Sequence, residues 1–215
     1  MFYSRRCISK NILVFVIYHI DEIPDVTCFL SRWNELANKE NLPGFSFMAY
    51  CNDVKRLSHP AYALCDKVIL SCKFKIDFTG KTRVTRQVFS LSRSILSRFI
   101  HVPLHKYNYK DVIGKLSDPL FREENIIPVL FPNWDNSPRR NEGALILHNA
   151  SPRFFHRHCL DVFSLINGKQ DKTVFIKSWN EWGEGNYMEP CLKYGHGYIE
   201  GLAKALEQFN SVSHE

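Results

Sequence analysis

At 215 residues and 45% apolar content, the chain is long enough for one well-filled core and carries no bias toward disorder. Its net charge of +6 comes from scattered lysines and arginines, densest at Arg5-Arg6 and Arg139-Arg140, with no basic tail or stripe, which argues against a dedicated nucleic-acid binder. Seven cysteines (Cys7, Cys28, Cys51, Cys65, Cys72, Cys159 and Cys191) show neither CxxC pairs nor zinc-ligand spacing, so reduced, largely buried thiols in a cytoplasmic chain are expected.

In chain order, Arg5, Arg6 and Lys10 precede the apolar run Ile12 to Tyr18 and superficially imitate a secretory leader. The run has no small-residue cleavage site, is too short to cross a bilayer and meets His19, Asp21 and Glu22 at once. It is therefore predicted to be a strand buried on both faces, with no transmembrane segment and only peripheral membrane association left open. Phe29, Leu30, Trp33, Leu36 and Ala37 fall at helical spacing, Pro43-Gly44 ends that segment, and Phe45 to Tyr50 is a second strand. Lys67 to Leu70 is a third, short one. Val84, Val88, Leu91, Ile95 and Phe99 then mark one face of a helix whose arginines face solvent.

Ile126 to Phe131 is predicted as a strand and Pro132 to Asn149 as a long polar loop, with Ser151-Pro152 as N-cap and first-turn proline of the next helix. That helix buries Phe155, Cys159, Val162, Phe163 and Ile166 and stops at Asn167-Gly168. Thr173 to Ser178 is the last strand, and Tyr198, Leu202, Ala205, Leu206 and Phe209 form the apolar face of a closing helix. Apolar strands alternating with helices imply parallel βαβ units, in either a doubly wound sheet or a barrel, over one domain spanning 1–215. No Gly-rich phosphate loop follows a strand, which weighs against a nucleotide-binding sheet, and no loop implies a cofactor. A complete eightfold barrel takes about 250 residues, so a barrel here is expected to be truncated and to lack its first strands.

In both architectures, chemistry gathers in loops at the C-terminal strand ends. Two loops there are rich: PNWDNSPRR, with Trp134, Asp135, Asn136 and Arg139, and WNEWGEGNYMEP, with Trp179, Asn180, Glu181, Trp182 and Glu184. Aromatic faces beside carboxylates, amides and a guanidinium suit sugars, whose rings present both C–H surfaces and hydroxyls. Glu181 and Glu184 are three apart and address one bond only if the backbone turns, which Gly183 and Gly185 permit. Trp179 and Trp182 stack a sugar or pack beneath the loop; Asn180 holds a hydroxyl or caps the turn. Asp135 and Asn136 bind hydroxyls, and Arg139 binds a phosphate or uronate unless an Asp–Arg clamp ties the loop. His156 and His158, two apart on a helix, do not share a face, so no metal site is expected there.

KSWNEWGEGNYMEP, followed by Tyr194-Gly195-His196-Gly197-Tyr198, resembles the NAWNEWxEGxxLEP segment of the WbsX-like glycosyltransferase family, itself similar to glycoside hydrolase family 99. WDNSPRR resembles that family's WDN(T/S)xR element, and weaker likeness runs back through Leu42-Pro43-Gly44 to Ile12. Lys177-Ser178 departs from the family's usual small apolar or asparagine pair, as does Met188 from leucine. The first barrel strand with its YxPQFH-type motif is not found. The resemblance implies a (β/α)8 barrel of TIM type and a retaining mechanism assisted by the sugar's 2-hydroxyl. In it Glu181 matches the carboxylate that deprotonates that hydroxyl, and Glu184 the general acid/base. It also implies glycosyltransferase-like work on O-antigen, capsule or other surface polysaccharide. An endo-mannosidase-like hydrolase and a non-catalytic carbohydrate-binding remnant are the alternatives.

Overall fold

Four apolar runs, at Ile12 to Tyr18, Phe45 to Tyr50, Lys67 to Leu70 and Ile126 to Phe131, become strands where sequence patterning places them, whereas the one predicted last, Thr173 to Ser178, contracts to Phe175–Ile176 and is followed by two further short strands. The computed structural model describes residues 12–72 and 105–212. In chain order its strands are β1 (Leu13–Ile17), β2 (Phe45–Cys51), β3 (Lys67–Leu70), β4 (His105–Asn108), β5 (Ile126–Leu130), β6 (Trp134–Asp135), β7 (Leu145–His148), β8 (Phe175–Ile176), β9 (Asn180–Glu181) and β10 (Asn186–Tyr187). Five of them form a parallel sheet in the order β1-β2-β3-β5-β8.

That order runs in one direction with no reversal, which separates the two architectures left open by the sequence. A doubly wound sheet reverses at a switch point and places helices on both faces. Right-handed crossovers that always advance the same way leave every helix on one face. Helix Val26–Lys39 follows β1 and helix Pro152–Ile166 follows β5, and both contribute to one apolar core with Phe47, Ala49, Val68, Leu70 and Leu130. The alternate residues Ile69, Ile127 and Val129 face a second core with Tyr109, Trp134, Leu145 and Leu147. The period-2 parity of the strands thus assigns each side chain to the helical face or the inner face.

The sheet also curls. β1 and β8 are its outermost strands, about 19 Å apart if four spacings of about 4.8 Å lay flat. Yet the Lys177 ammonium, just past β8, is 3.4 Å from the Tyr18 hydroxyl, just past β1. Only a rolled sheet brings these edges together, so the fold is an α/β arc of barrel type.

The segment predicted as a long polar loop, Pro132 to Asn149, contains regular structure. β6 and β7 pair antiparallel within it, and β7 pairs parallel with β4. Leu145 and Leu147 alternate with Ile146 and His148, a short strand pattern hidden by its polar flanks. β1 is an edge strand of the described sheet with Val16 exposed, not one buried on both faces. Ser151 occupies the N-cap position without a side-chain capping bond, while Pro152 fills the first turn as expected. In the closing helix Gly197–Val212, Tyr198 and Ala205 are buried but Leu206 is exposed. The helix predicted around Val84 to Phe99 lies outside the described residues.

Candidate active site at the strand ends

The loop after β8 is a small hairpin. Asn180 pairs with Tyr187 and Glu181 with Asn186, and Trp182–Glu184 makes a single 3-10 turn between them. Gly185 closes the turn with φ +50, donating its N–H to the Trp182 carbonyl at 2.9 Å. A side chain at Gly185 would begin 2.9 Å from the Asp135 Cβ and 3.1 Å from that residue's backbone N and O. This glycine therefore lets the hairpin rest on the backbone of the WDNSPRR loop.

Two buried asparagines fasten the loops together. The Asn133 carboxamide accepts from the Tyr187 N–H at 2.8 Å and donates to the Tyr187 carbonyl at 3.1 Å, imitating a strand edge. The Asn186 amide donates to the Asn133 carbonyl at 2.7 Å and to the Lys177 carbonyl at 2.8 Å. Neither was singled out from the sequence. The only signal is an amide residue after a proline at the end of a strand and another immediately after a glycine turn.

With the loops joined, Glu181 and Glu184 meet one cation. Arg139 Nη2 is 3.0 Å from Glu181 Oε1, and Nη1 is 3.6 Å from Glu184 Oε1. Arg139 stands on the short helix Ser137–Arg140, started by Asp135, whose carboxylate accepts from the Ser137 N–H at 3.0 Å and hydroxyl at 2.6 Å. The anticipated clamp on Arg139 thus exists, but with the glutamates rather than Asp135. The side chains are 57% exposed for Arg139, 38% for Glu181 and 22% for Glu184. Pairs this open contribute about 0–1 kcal/mol, so the guanidinium orients the two carboxylates while adding little to stability.

Around the pair, Trp182 stacks on Tyr187 with centroids 3.9 Å apart and a 14° angle, and its indole N–H donates to Glu189. One indole face is covered and the residue remains exposed, an arrangement that suits a sugar ring. Trp179 is exposed too, and its carbonyl accepts from the Met188 and Glu189 N–H groups. Asn180 is exposed beside Glu181. Trp134 is only 2% exposed and packs in the inner core, and the Asn136 carboxamide is committed to the Leu145 N–H at 2.9 Å. These two residues hold the loop from within. Among the described residues, no group of three or more His, Cys, Asp or Glu side chains is placed to hold a metal, and no helix is long and apolar enough to cross a membrane.

Sequence comparison matches residues 1–202 to the family described as Glycosyltransferase WbsX. Two relatives, both called uncharacterized protein WxcX, come from Xanthomonas campestris pv. campestris. That of strain B100 is 30% identical over 113 residues, covering 51% of this chain and 16% of the relative. That of strain ATCC 33913 is 30% identical over 112 residues, covering 50% and 16%. The aligned part is thus under a fifth of the relatives' length. A structural neighbour is the GH99 endo-alpha-mannosidase from Bacteriodes thetaiotaomicron in complex with BIS-TRIS-Propane, with 16% identity and a TM-score of 0.46 over 93% of this chain and 58% of that one.

Proposed function

The chain belongs to the WbsX glycosyltransferase family, and from that premise we propose that it is a glycosyltransferase-like enzyme acting at an anomeric centre through Glu181 and Glu184. The observation that carries this reading is the single Arg139 guanidinium spanning both carboxylates at the open strand ends, beside the exposed ring of Trp182. Glu184 donates a proton to the glycosidic oxygen as the C–O bond breaks. Glu181 takes the proton of the neighbouring 2-hydroxyl, whose oxygen assists departure. The incoming hydroxyl then attacks the anomeric carbon and gives its proton to Glu184, while the bond from the 2-oxygen to that carbon breaks and Glu181 returns its proton to the 2-oxygen. An acceptor sugar makes the reaction a transfer in surface polysaccharide assembly; water makes it hydrolysis by the same pair.

The test is incubation of the full chain with mannose-rich glycans and with nucleotide- or lipid-linked sugars. Product is expected from the unmodified chain, and Glu184→Gln should slow its formation about a hundredfold while sugar binding persists. Binding without any turnover by the unmodified chain would sink the enzyme reading and leave a carbohydrate-binding module. New glycosidic bonds identify transfer; reducing ends without new bonds identify hydrolysis.

Arg139→Met is expected to lower kcat about tenfold by loosening the carboxylates, while changing the unfolding free energy measured in urea by less than about 1 kcal/mol. Arg139→Lys should restore little, because one ammonium does not present the two-pronged fork that spans both glutamates. Equal rates for all three proteins would remove Arg139 from the site.

A further inference from the structure

A second cluster shares the rim with the glutamate pair and has no part in the reaction proposed for it. Lys177 directly follows β8, Tyr18 directly follows β1, and Tyr50 is the next-to-last residue of β2. The β1/β2 register pairs Ile17 with Ala49, which sets Tyr18 beside Tyr50, and their rings stack with centroids 4.6 Å apart and a 6° angle. The Lys177 ammonium lies 5.3 Å from the Tyr50 ring centroid, 5.8 Å from that of Tyr18 and 5.7 Å from that of Trp134. The sheet's curl thus gathers one cation, two phenols and an indole from strands far apart in the chain.

The charge balance is unusual. Arg139, the group expected to take an acidic substituent, is engaged by both glutamates. Lys177 is half-buried, and among the described residues no carboxylate lies within ion-pairing distance of it. Ring faces attract an ammonium, but they do not neutralise it. Burial pushes the Tyr50 phenol up from its ordinary value, so it keeps its proton at neutral pH as a hydrogen-bond donor. Tyr18 is exposed, so the cluster opens to solvent. Lys177 is also tied to the catalytic hairpin, since its carbonyl accepts from Asn186, the residue paired with Glu181.

We propose that Lys177, with the hydroxyls of Tyr18 and Tyr50, binds the oxyanion of an acidic sugar, carboxylate or phosphate, next to the glutamate pair. The ammonium supplies the charge and the phenols supply donors, while the stacked rings hold the strand ends in place. This rests on the reading of the strand-end loops as a sugar site and adds to it that the sugar is acidic.

The test is calorimetric titration of the full chain with glucuronate, glucose 1-phosphate and glucose. At least one acidic sugar should bind about tenfold more tightly than glucose, with a preference that weakens as salt rises. Glucuronate ahead of glucose 1-phosphate identifies a carboxylate, and the reverse order a phosphate. Lys177→Met keeps the length of the side chain and should abolish the preference while leaving glucose binding unchanged. Tyr18→Phe removes one hydroxyl at an exposed position and should reduce the preference several-fold, which keeps the test decisive if Lys177→Met fails to fold. Acidic sugars binding no better than glucose, or a preference that survives both substitutions, would overturn the proposal. Because binding rather than turnover is read, absent turnover with a Lys177-dependent preference overturns the enzyme reading alone. Turnover of neutral glycans with no such preference overturns this proposal alone.

Discussion

Asn186→Leu is expected to lower the free energy of unfolding by about 3 kcal/mol, measured by urea denaturation, and to reduce turnover beyond what either loop's own residues explain. Asn186 is fully buried, and its amide serves two carbonyls from separate segments, Asn133 after β5 and Lys177 after β8. Leucine keeps the same branched heavy-atom shape, with somewhat more bulk, but leaves both carbonyls without that donor, at about 1–3 kcal/mol each. Part of this is offset, because Asn186 Oδ1 is buried without a hydrogen-bond partner and leucine relieves it. Asn133→Ala removes the companion link to Tyr187, so the two substitutions should be non-additive by about 0.5–3 kcal/mol in a double-mutant cycle. Independent effects, or an Asn186→Leu change within 0.5 kcal/mol, would show that the loops are not held by these amides. The functional cost follows from geometry. Arg139 stands on one loop and both glutamates on the other, and a small shift between loops misplaces reacting groups enough for a large rate loss.

These two asparagines mark the limit of what local sequence pattern encodes. The strands were legible because runs such as Phe45–Cys51 and Ile126–Leu130 are apolar without interruption, and helix Pro152–Ile166 because Phe155, Cys159, Val162, Phe163 and Ile166 repeat at its period. The hairpin that carries Glu181 and Glu184 is legible from its glycines, and Gly185 does adopt the positive φ that a turn there demands. Contacts between distant segments were not legible. Nothing local to Asn133 says that Tyr187 lies opposite, and nothing local to Lys177 says that Tyr18 and Tyr50 lie across the arc. Those pairings depend on strand order and curl, which single-chain periodicity does not encode. Trp134 shows the same limit in reverse. Its polar neighbours made it look like a sugar contact, but it follows the inner-face core of β5 and packs against Phe131 with centroids 6.2 Å apart.

The largest effect of pH on stability should come from His158 and should appear before the carboxylates titrate. His158 lies fully buried on helix Pro152–Ile166, neither ring nitrogen has a hydrogen-bond partner, and burial lowers its pKa from 6.5 to about 3. In the unfolded chain the imidazole takes up a proton near pH 6.5, whereas in the folded chain it does so only near pH 3. Below pH 6.5 the unfolded state therefore binds more protons, and stability falls as pH falls, at about 1.4 kcal/mol per unit. The loss accumulates to about 5 kcal/mol by the folded-state value and then levels off, a sizeable share of the stability of an ordinary domain. Asp21, Glu124 and Asp171 also have lowered pKa values, held down by hydrogen bonds and neighbouring cations, and their stabilisation is lost in the acid range below the ordinary carboxylate values. The window from pH 6.5 down to about 4.5 belongs to His158. His158→Leu, which replaces a buried ring with no polar contacts to lose, should flatten stability across that window without lowering it at pH 7. Urea unfolding at half-unit steps of pH checks both parts. A slope in the variant equal to that of the unmodified chain would mean that another group carries the acid sensitivity.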